Sequence, residues 1–268
     1  MTNTVKNRLR LDSFIVEKGF IKSRERAKSL IMAGKVFVDN NLIDKPGTLI
    51  QKSAQIIIKK DENPFVSRGG LKLEKALKTI PLSVKNLTCL DIGASTGGFT
   101  DCLLKNGARK VYAVDVGYGQ LDWSLRQDNR VVVIERTNIR YMPYEKINNK
   151  LDIIVADTSF ISLKIVIPSA EKFMKHGCII LALIKPQFEA GRNNVGKGGV
   201  VKDKTIRHNV INDLKFFFKN REYLVKNVIP SPILGSKGNK EYILYLNYKS
   251  TGCYETANLS NFCVRKKI

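Results

Sequence analysis

A chain of 268 residues, 43% hydrophobic and 8% aromatic, can bury one large core or a large and a small one, and is too apolar for general disorder. No apolar run approaches the roughly 20 residues that span a bilayer, and residues 1–10 lack a signal-peptide core; the expectation is a cytoplasmic protein without integral membrane association. Forty-six lysines and arginines against 24 acidic residues give a formal charge of +22, a field that attracts polyanions.

The basicity is shared, net +6 in residues 1–62 and +16 in the remainder. Five cysteines are scattered without a Cys-x-x-Cys pair, and the two histidines lie near none of them in sequence. That pattern excludes a disulfide framework or zinc site and predicts no metal; Cys89, Cys102 and Cys178 read as buried thiols.

In chain order, Leu11, Phe14 and Ile15, then Ala27, Leu30 and Ile31, recur at helical spacing, with Ser23 placed to cap the second helix. Gly34 ends that helix. Val36, Val38, Ile50 and Ile56–Ile58 predict strands, with Asp39-Asn40-Asn41 as turn material. The small α+β unit closes at the polar joint Asp61-Glu62-Asn63-Pro64.

Arg10-Leu11-Asp12, Ser23-Arg24-Glu25-Arg26-Ala27 and Ala33-Gly34-Lys35-Val36-Phe37-Val38 resemble the S4 RNA-binding module. The resemblance assigns residues 1–62 to that domain and implies that Arg8, Arg10, Lys22, Ser23, Arg24, Arg26 and Lys28 meet RNA, mostly at phosphates. Residues 63–70 read as a linker, 71–249 as a second domain and 250–268 as a polar tail whose role is open.

From residue 88, short apolar strands alternate with helical stretches: 88–92, 110–115, 131–134, 151–156, 178–184, 224–229 and 241–248. Seven strands with crossovers predict a mainly parallel, doubly wound α/β sheet, with ligands at the carboxyl ends of its strands. The first strand enters Asp91-Ile92-Gly93-Ala94-Ser95-Thr96-Gly97-Gly98-Phe99, where glycines let a ligand approach the backbone before a helix begins. The spacing is not that of dinucleotide enzymes, and no P-loop lysine follows. Asp115 ends the second strand 24 residues after Asp91, where an acid can reach ribose hydroxyls.

This loop looks like motif I of class I S-adenosylmethionine-dependent methyltransferases, which share a Rossmann-like fold. By that resemblance the cofactor is held by Asp91, Gly93, Ala94, Ser95, Thr96, Gly97, Gly98, Phe99, Asp115, Val116, Gly117, Gln120, Leu121 and Asp157. Trp123 is expected to pack near the loop.

A ribose hydroxyl is a poor nucleophile at neutral pH and needs a base, a role open to a lysine. Lys185 follows the fifth strand, Asp157 the fourth, Lys72 precedes the first and Glu241 opens the last. This order resembles the tetrad of FtsJ-like RNA ribose 2′-O-methyltransferases, and the flanking segments look like those of the TlyA family, which joins an S4 module to such a domain. The resemblance implies methylation of cytidine 2′-hydroxyls in ribosomal RNA within ribosomal subunits, with Lys185 as general base, Lys72 and Asp157 orienting it, and Glu241 supporting Lys72 or the substrate ribose. The neighbouring charges act on its proton in opposite senses. Arg68, Arg192 and Lys197 are further candidates for RNA, the last two in a glycine-rich basic loop; within Phe216-Phe217-Phe218 one face is expected in the core. Two other classes stay open: a cytolytic protein, because the family also carries a haemolysin label, and a non-catalytic RNA-binding factor. The modified nucleotide, the subunit and the oligomeric state are left open.

Overall fold

The computed structural model describes residues 8–59 except 22 and 33, and residues 63–249 except 222. Lys22, Asp61, Glu62 and the tail 250–268 lie outside the described residues. The chain divides into two compact units between residues 62 and 63.

In the first unit, β1 (Arg8–Arg10) runs into α1 (Leu11–Glu17), followed by α2 (Arg24–Met32), β2 (Val36–Val38), β3 (Asn41–Leu42), β4 (Leu49–Gln51) and β5 (Ile56–Ile58). The apolar positions at helical spacing, Leu11, Phe14, Ile15, Ala27, Leu30 and Ile31, close on Val36, Val38 and Ile50 as a single core. Ser23 caps α2, its Oγ accepting from Arg26 N at 3.2 Å. The β2–β3 turn needs two positive φ values, supplied by Asp39 and Asn40 at 47° and 65°. Asn41 is already in β3 rather than the turn. The unpredicted β1 pairs antiparallel with β4.

Asp12 is fully buried at the start of α1. It accepts from Arg10 Nε and Nη2 at 3.1 and 3.0 Å and from Arg24 Nε at 3.1 Å. These guanidiniums hold its carboxyl far below the usual carboxylate range. Arg10 and Arg24 are half exposed, and Arg8, Ser23, Arg26 and Lys28 are exposed.

The second unit contains α3 (Gly69–Thr79), β6 (Thr88–Ile92), α4 (Gly98–Lys105), β7 (Lys110–Val114), α5 (Trp123–Arg126), β8 (Val131–Ile134), β9 (Leu151–Ala156), α6 (Leu163–Ser169), β10 (Met174–Ile184), α7 (Pro186–Glu189), α8 (Lys204–Asn220), β11 (Tyr223–Pro230) and β12 (Tyr242–Tyr248). The sheet order is β11-β12-β10-β9-β6-β7-β8. The five strands from β10 to β8 are parallel, and β12 runs antiparallel to both neighbours. Alternate residues of the central strands enter opposite cores: Cys89, Val111, Ile153 and Leu181 join α3 and α4, whereas Leu90, Tyr112, Ile154 and Ile180 join α6 and α8. This is the doubly wound architecture expected, and it gathers the ends of β6, β7, β9 and β10 at one edge.

Several details differ from the sequence reading. Residues 63–70 are not a linker: Phe65 is buried in the α3–α4 core, Val66 N donates to Asp101 Oδ2 at 2.9 Å, and α3 starts at Gly69. β10 begins at Met174, with a register shift before Ile179. No α-helix joins β11 to β12, only a 3₁₀ turn at Ser236–Gly238, and Glu241 immediately precedes β12. Trp123 is 69% exposed rather than packed. Phe218 is buried while Phe216 is exposed, and the three cysteines are buried thiols.

Candidate active site

The loop after β6 is shaped by backbone demands. Gly93 has φ +82°, and a Cβ there would stand 2.8 Å from the carbonyl oxygen of Asp157, so only glycine lets the ends of β6 and β9 approach this closely. Gly97, at φ +95°, is covered by Leu121 and Leu125, which places Leu121 beneath the loop. Ser95 also adopts a positive φ, 48°, and its N–H donates to Asp115 Oδ2 at 2.8 Å. Gly117 N donates to Asp115 Oδ1 at 2.7 Å, and Ser95 Oγ donates to Gln120 Oε1 at 3.2 Å. Two backbone amides thus fix the Asp115 carboxylate.

Two adjoining cavities open at this edge, of about 840 and 470 Å³. The larger is lined by Gly93, Ser95, Asp115, Val116, Gln120 and Asp157 among others. The smaller is lined by Arg68, Lys72, Ala94, Thr96, Gly98, Phe99 and Lys185 among others. Gly93, Ser95, Asp157 and Ser159 border both. Asp91, Gly97, Gly117 and Leu121 line neither cavity, so their part is to shape the loop from behind.

Asp91 is fully buried. Thr100 Oγ1 donates to its Oδ2 at 2.7 Å, while its Oδ1 has no partner. Burial first, then the charges of Asp157 and Asp115, push this carboxyl up to about 7. The folded state therefore holds a proton that the unfolded chain, with an ordinary aspartate pKa of about 4, releases. The stability this confers is complete below about pH 4 and is lost as pH rises through about 7. Thermal melts from pH 4 to 8 are expected to decline less for Asp91→Asn than for wild type; parallel declines would contradict this.

The tetrad is assembled from four distant segments. Lys72 Nζ donates to Glu241 Oε2 at 2.7 Å and lies 3.8 Å from Asp157 Oδ2. Lys185 Nζ lies 2.5 Å from Asp157 Oδ1 and donates to Ser159 Oγ at 3.0 Å. Asp157 thus stands between two ammonium groups, and Glu241 pairs the outer one. Four largely buried charges balance in sign, which a low-dielectric site requires.

The sequence reading missed three features. Ser159 is the hydrogen-bond partner of Lys185. Phe160 is 89% exposed at a positive φ of 63°, its ring 4.8 Å from that of Phe188, and it lines the larger cavity. Asn239 is buried and ties two loops, donating to Gly199 O and Ser236 O at 2.9 and 3.0 Å and accepting from Val201 N at 3.1 Å. The only sequence signal was polar or aromatic residues close to tetrad members. Of the RNA candidates in this unit, Arg68 lies at the smaller cavity, Nη2 donating to Leu234 O at 3.4 Å, whereas Arg192 and Lys197 are exposed away from both cavities.

The larger cavity fits S-adenosylmethionine. The Asp115 carboxylate, fixed by two backbone amides, keeps lone pairs toward this cavity, the Gly93 turn leaves room at the backbone, and Asp157 lines the same wall.

Residues 65–248 match the family model of the FtsJ-like methyltransferase, and residues 9–56 match that of the S4 domain. The chain is thus a methyltransferase with an S4 domain ahead of its catalytic unit, and S-adenosylmethionine is the cofactor that this fold takes. It is 44% identical to the 16S/23S rRNA (cytidine-2′-O)-methyltransferase TlyA of Mycobacterium tuberculosis over 89% of this chain and 90% of that protein. It is 43% identical to Hemolysin A of Brachyspira hyodysenteriae over 88% of this chain and 99% of that protein. A solved structure from Streptococcus thermophilus, described as a hemolysin, superposes with a TM-score of 0.71 at 41% identity, covering 91% of this chain and 90% of that one. The chain belongs to the TlyA family. Among the described residues no helix is long and apolar enough to cross a membrane.

Proposed function

We propose that this chain transfers a methyl group from S-adenosylmethionine to the 2′-hydroxyl of a cytidine in ribosomal RNA, with Lys185 as general base. The carrying observation is the chain of charges Glu241–Lys72–Asp157–Lys185 at the junction of two cavities. One cavity suits the donor, and the other, lined by Lys185 and Lys72, suits the acceptor. The nucleoside follows the name of the M. tuberculosis relative.

Bound in the larger cavity, the cofactor supplies an electrophilic methyl group on a sulfonium. Asp115 would hold its ribose hydroxyls, and Gly93, Ser95, Val116 and Gln120 would form the wall. Lys185 takes the proton of the acceptor hydroxyl as the oxygen attacks, a contribution of about 10²–10⁴ in rate for a well-placed base. Lys72, held by Glu241, fixes Asp157, and Asp157 fixes Lys185. The remaining catalytic work is alignment of oxygen, carbon and sulfur.

The S4 unit docks the RNA. Arg10 and Arg24, gathered on Asp12, and the exposed Arg26 and Lys28 supply phosphate contacts that set register. The assembled tetrad favours catalysis over a purely RNA-binding role.

Incubating the purified protein with methyl-labelled S-adenosylmethionine and ribosomal subunits lacking the mark is expected to label their RNA. Absence of label in both subunits would contradict the proposal.

A further inference from the structure

We infer that Ser159 aims Lys185 at its substrate and is a positioning residue for the proton transfer; this rests on Lys185 being the base. Lys185 Nζ has two close polar neighbours, and they act differently. Asp157 Oδ1 lies 2.5 Å away, yet it has no aligned hydrogen bond. The ion pair therefore holds the nitrogen in place without fixing its rotation, because a charge contact has little directional preference. Ser159 Oγ accepts a hydrogen bond from the same nitrogen at 3.0 Å, and such bonds weaken steeply off line.

An amine able to act as base carries two N–H bonds and one lone pair. With one N–H held by Ser159, the lone pair is confined to orientations about that bond that include the smaller cavity, which Lys185 lines. Without Ser159, rotation about the Cε–Nζ bond spreads the lone pair over orientations that cannot accept the proton. The local backbone explains why the two partners meet at one atom. Asp157 and Ser159 sit two residues apart on the turn after β9, and Phe160, at φ +63°, turns the chain next to them. Ser159 is exposed and borders both cavities, so removing its hydroxyl empties no core.

The test compares single-turnover methyl transfer at saturating cofactor and RNA for wild type, Ser159→Ala, Ser159→Thr, Lys185→Ala and the double variant Lys185→Ala/Ser159→Ala. Ser159→Ala is expected to lose about tenfold or more in rate, in line with the cost of misplacing a reacting group, with affinities for S-adenosylmethionine and RNA changed less than about twofold. Ser159→Thr, which keeps the hydroxyl, is expected to recover most of the rate. In the Lys185→Ala background the second change is expected to add nothing, because Ser159 acts through Lys185. A wild-type rate for Ser159→Ala beside an inactive Lys185→Ala overturns the inference. So does a threonine variant as slow as alanine, or a defect confined to cofactor affinity. An active Lys185→Ala would instead overturn Lys185 as base.

Discussion

Replacing Lys185 with alanine is expected to lower single-turnover methyl transfer by about 10²–10⁴ while leaving binding of S-adenosylmethionine and RNA within a few-fold of wild type. Lys185 directly follows β10, and its side chain is 12% exposed, 2.5 Å from Asp157. Its loss leaves Asp157 facing Lys72, itself held by Glu241 at 2.7 Å. The site therefore keeps a paired carboxylate and does not collapse for want of a counter-charge. Lys185→Arg is expected to be as inactive as the alanine variant, since a guanidinium stays protonated and cannot take a proton. A rate within threefold of wild type for either variant would remove Lys185 from the chemistry.

Asp115→Ala is expected to weaken S-adenosylmethionine binding by on the order of 10²-fold or more. Hydrogen bonds to a charged acceptor contribute about 1.5–3 kcal/mol each, and about 1.4 kcal/mol is tenfold in affinity; two ribose hydroxyls on this carboxylate reach that range. The same substitution strips the partners from Ser95 N and Gly117 N, so the loop loses its anchor as well. Asp115→Asn is expected to fall between, because one oxygen survives while the new amide meets a backbone N–H. Titration calorimetry reads this directly, and a Kd within threefold of wild type for the alanine variant would sink the assignment.

The seven-stranded sheet was legible in the sequence because each strand is a short apolar run bounded by turn residues, and both faces are covered, so no alternation was needed to find it. β1 escaped because Arg8-Leu9-Arg10 is too short to show a period. The residues before α3 read as a linker because they follow the polar joint closed by Pro64, yet Phe65 packs against Gly70 and is held in the core by that contact. Motif I and Asp115 were recognisable from glycine spacing. The separate duties within it were not: Asp91 and Leu121 shape the loop from behind.

The tetrad's members could be named from their resemblance to the FtsJ-like pattern beside strand ends, but the contacts that join them could not be measured there. Lys72 and Glu241 lie 169 residues apart in sequence, and only the packing of α3 beside β12 brings them together. Ser159 and Phe160 were missed for a different reason. Their nearness to Asp157 in sequence was a weak signal, and only the loop geometry, with Phe160 at φ +63°, sets Ser159 beside Lys185.

The most direct measurement is the position of the transferred methyl group. After reaction with labelled S-adenosylmethionine and unmodified ribosomal subunits, the RNA is digested to nucleosides and resolved by mass spectrometry. The expected product is 2′-O-methylcytidine, formed by wild type and lost with Lys185→Ala. Label on a base, or label that persists undiminished in Lys185→Ala, would contradict ribose methylation by this lysine.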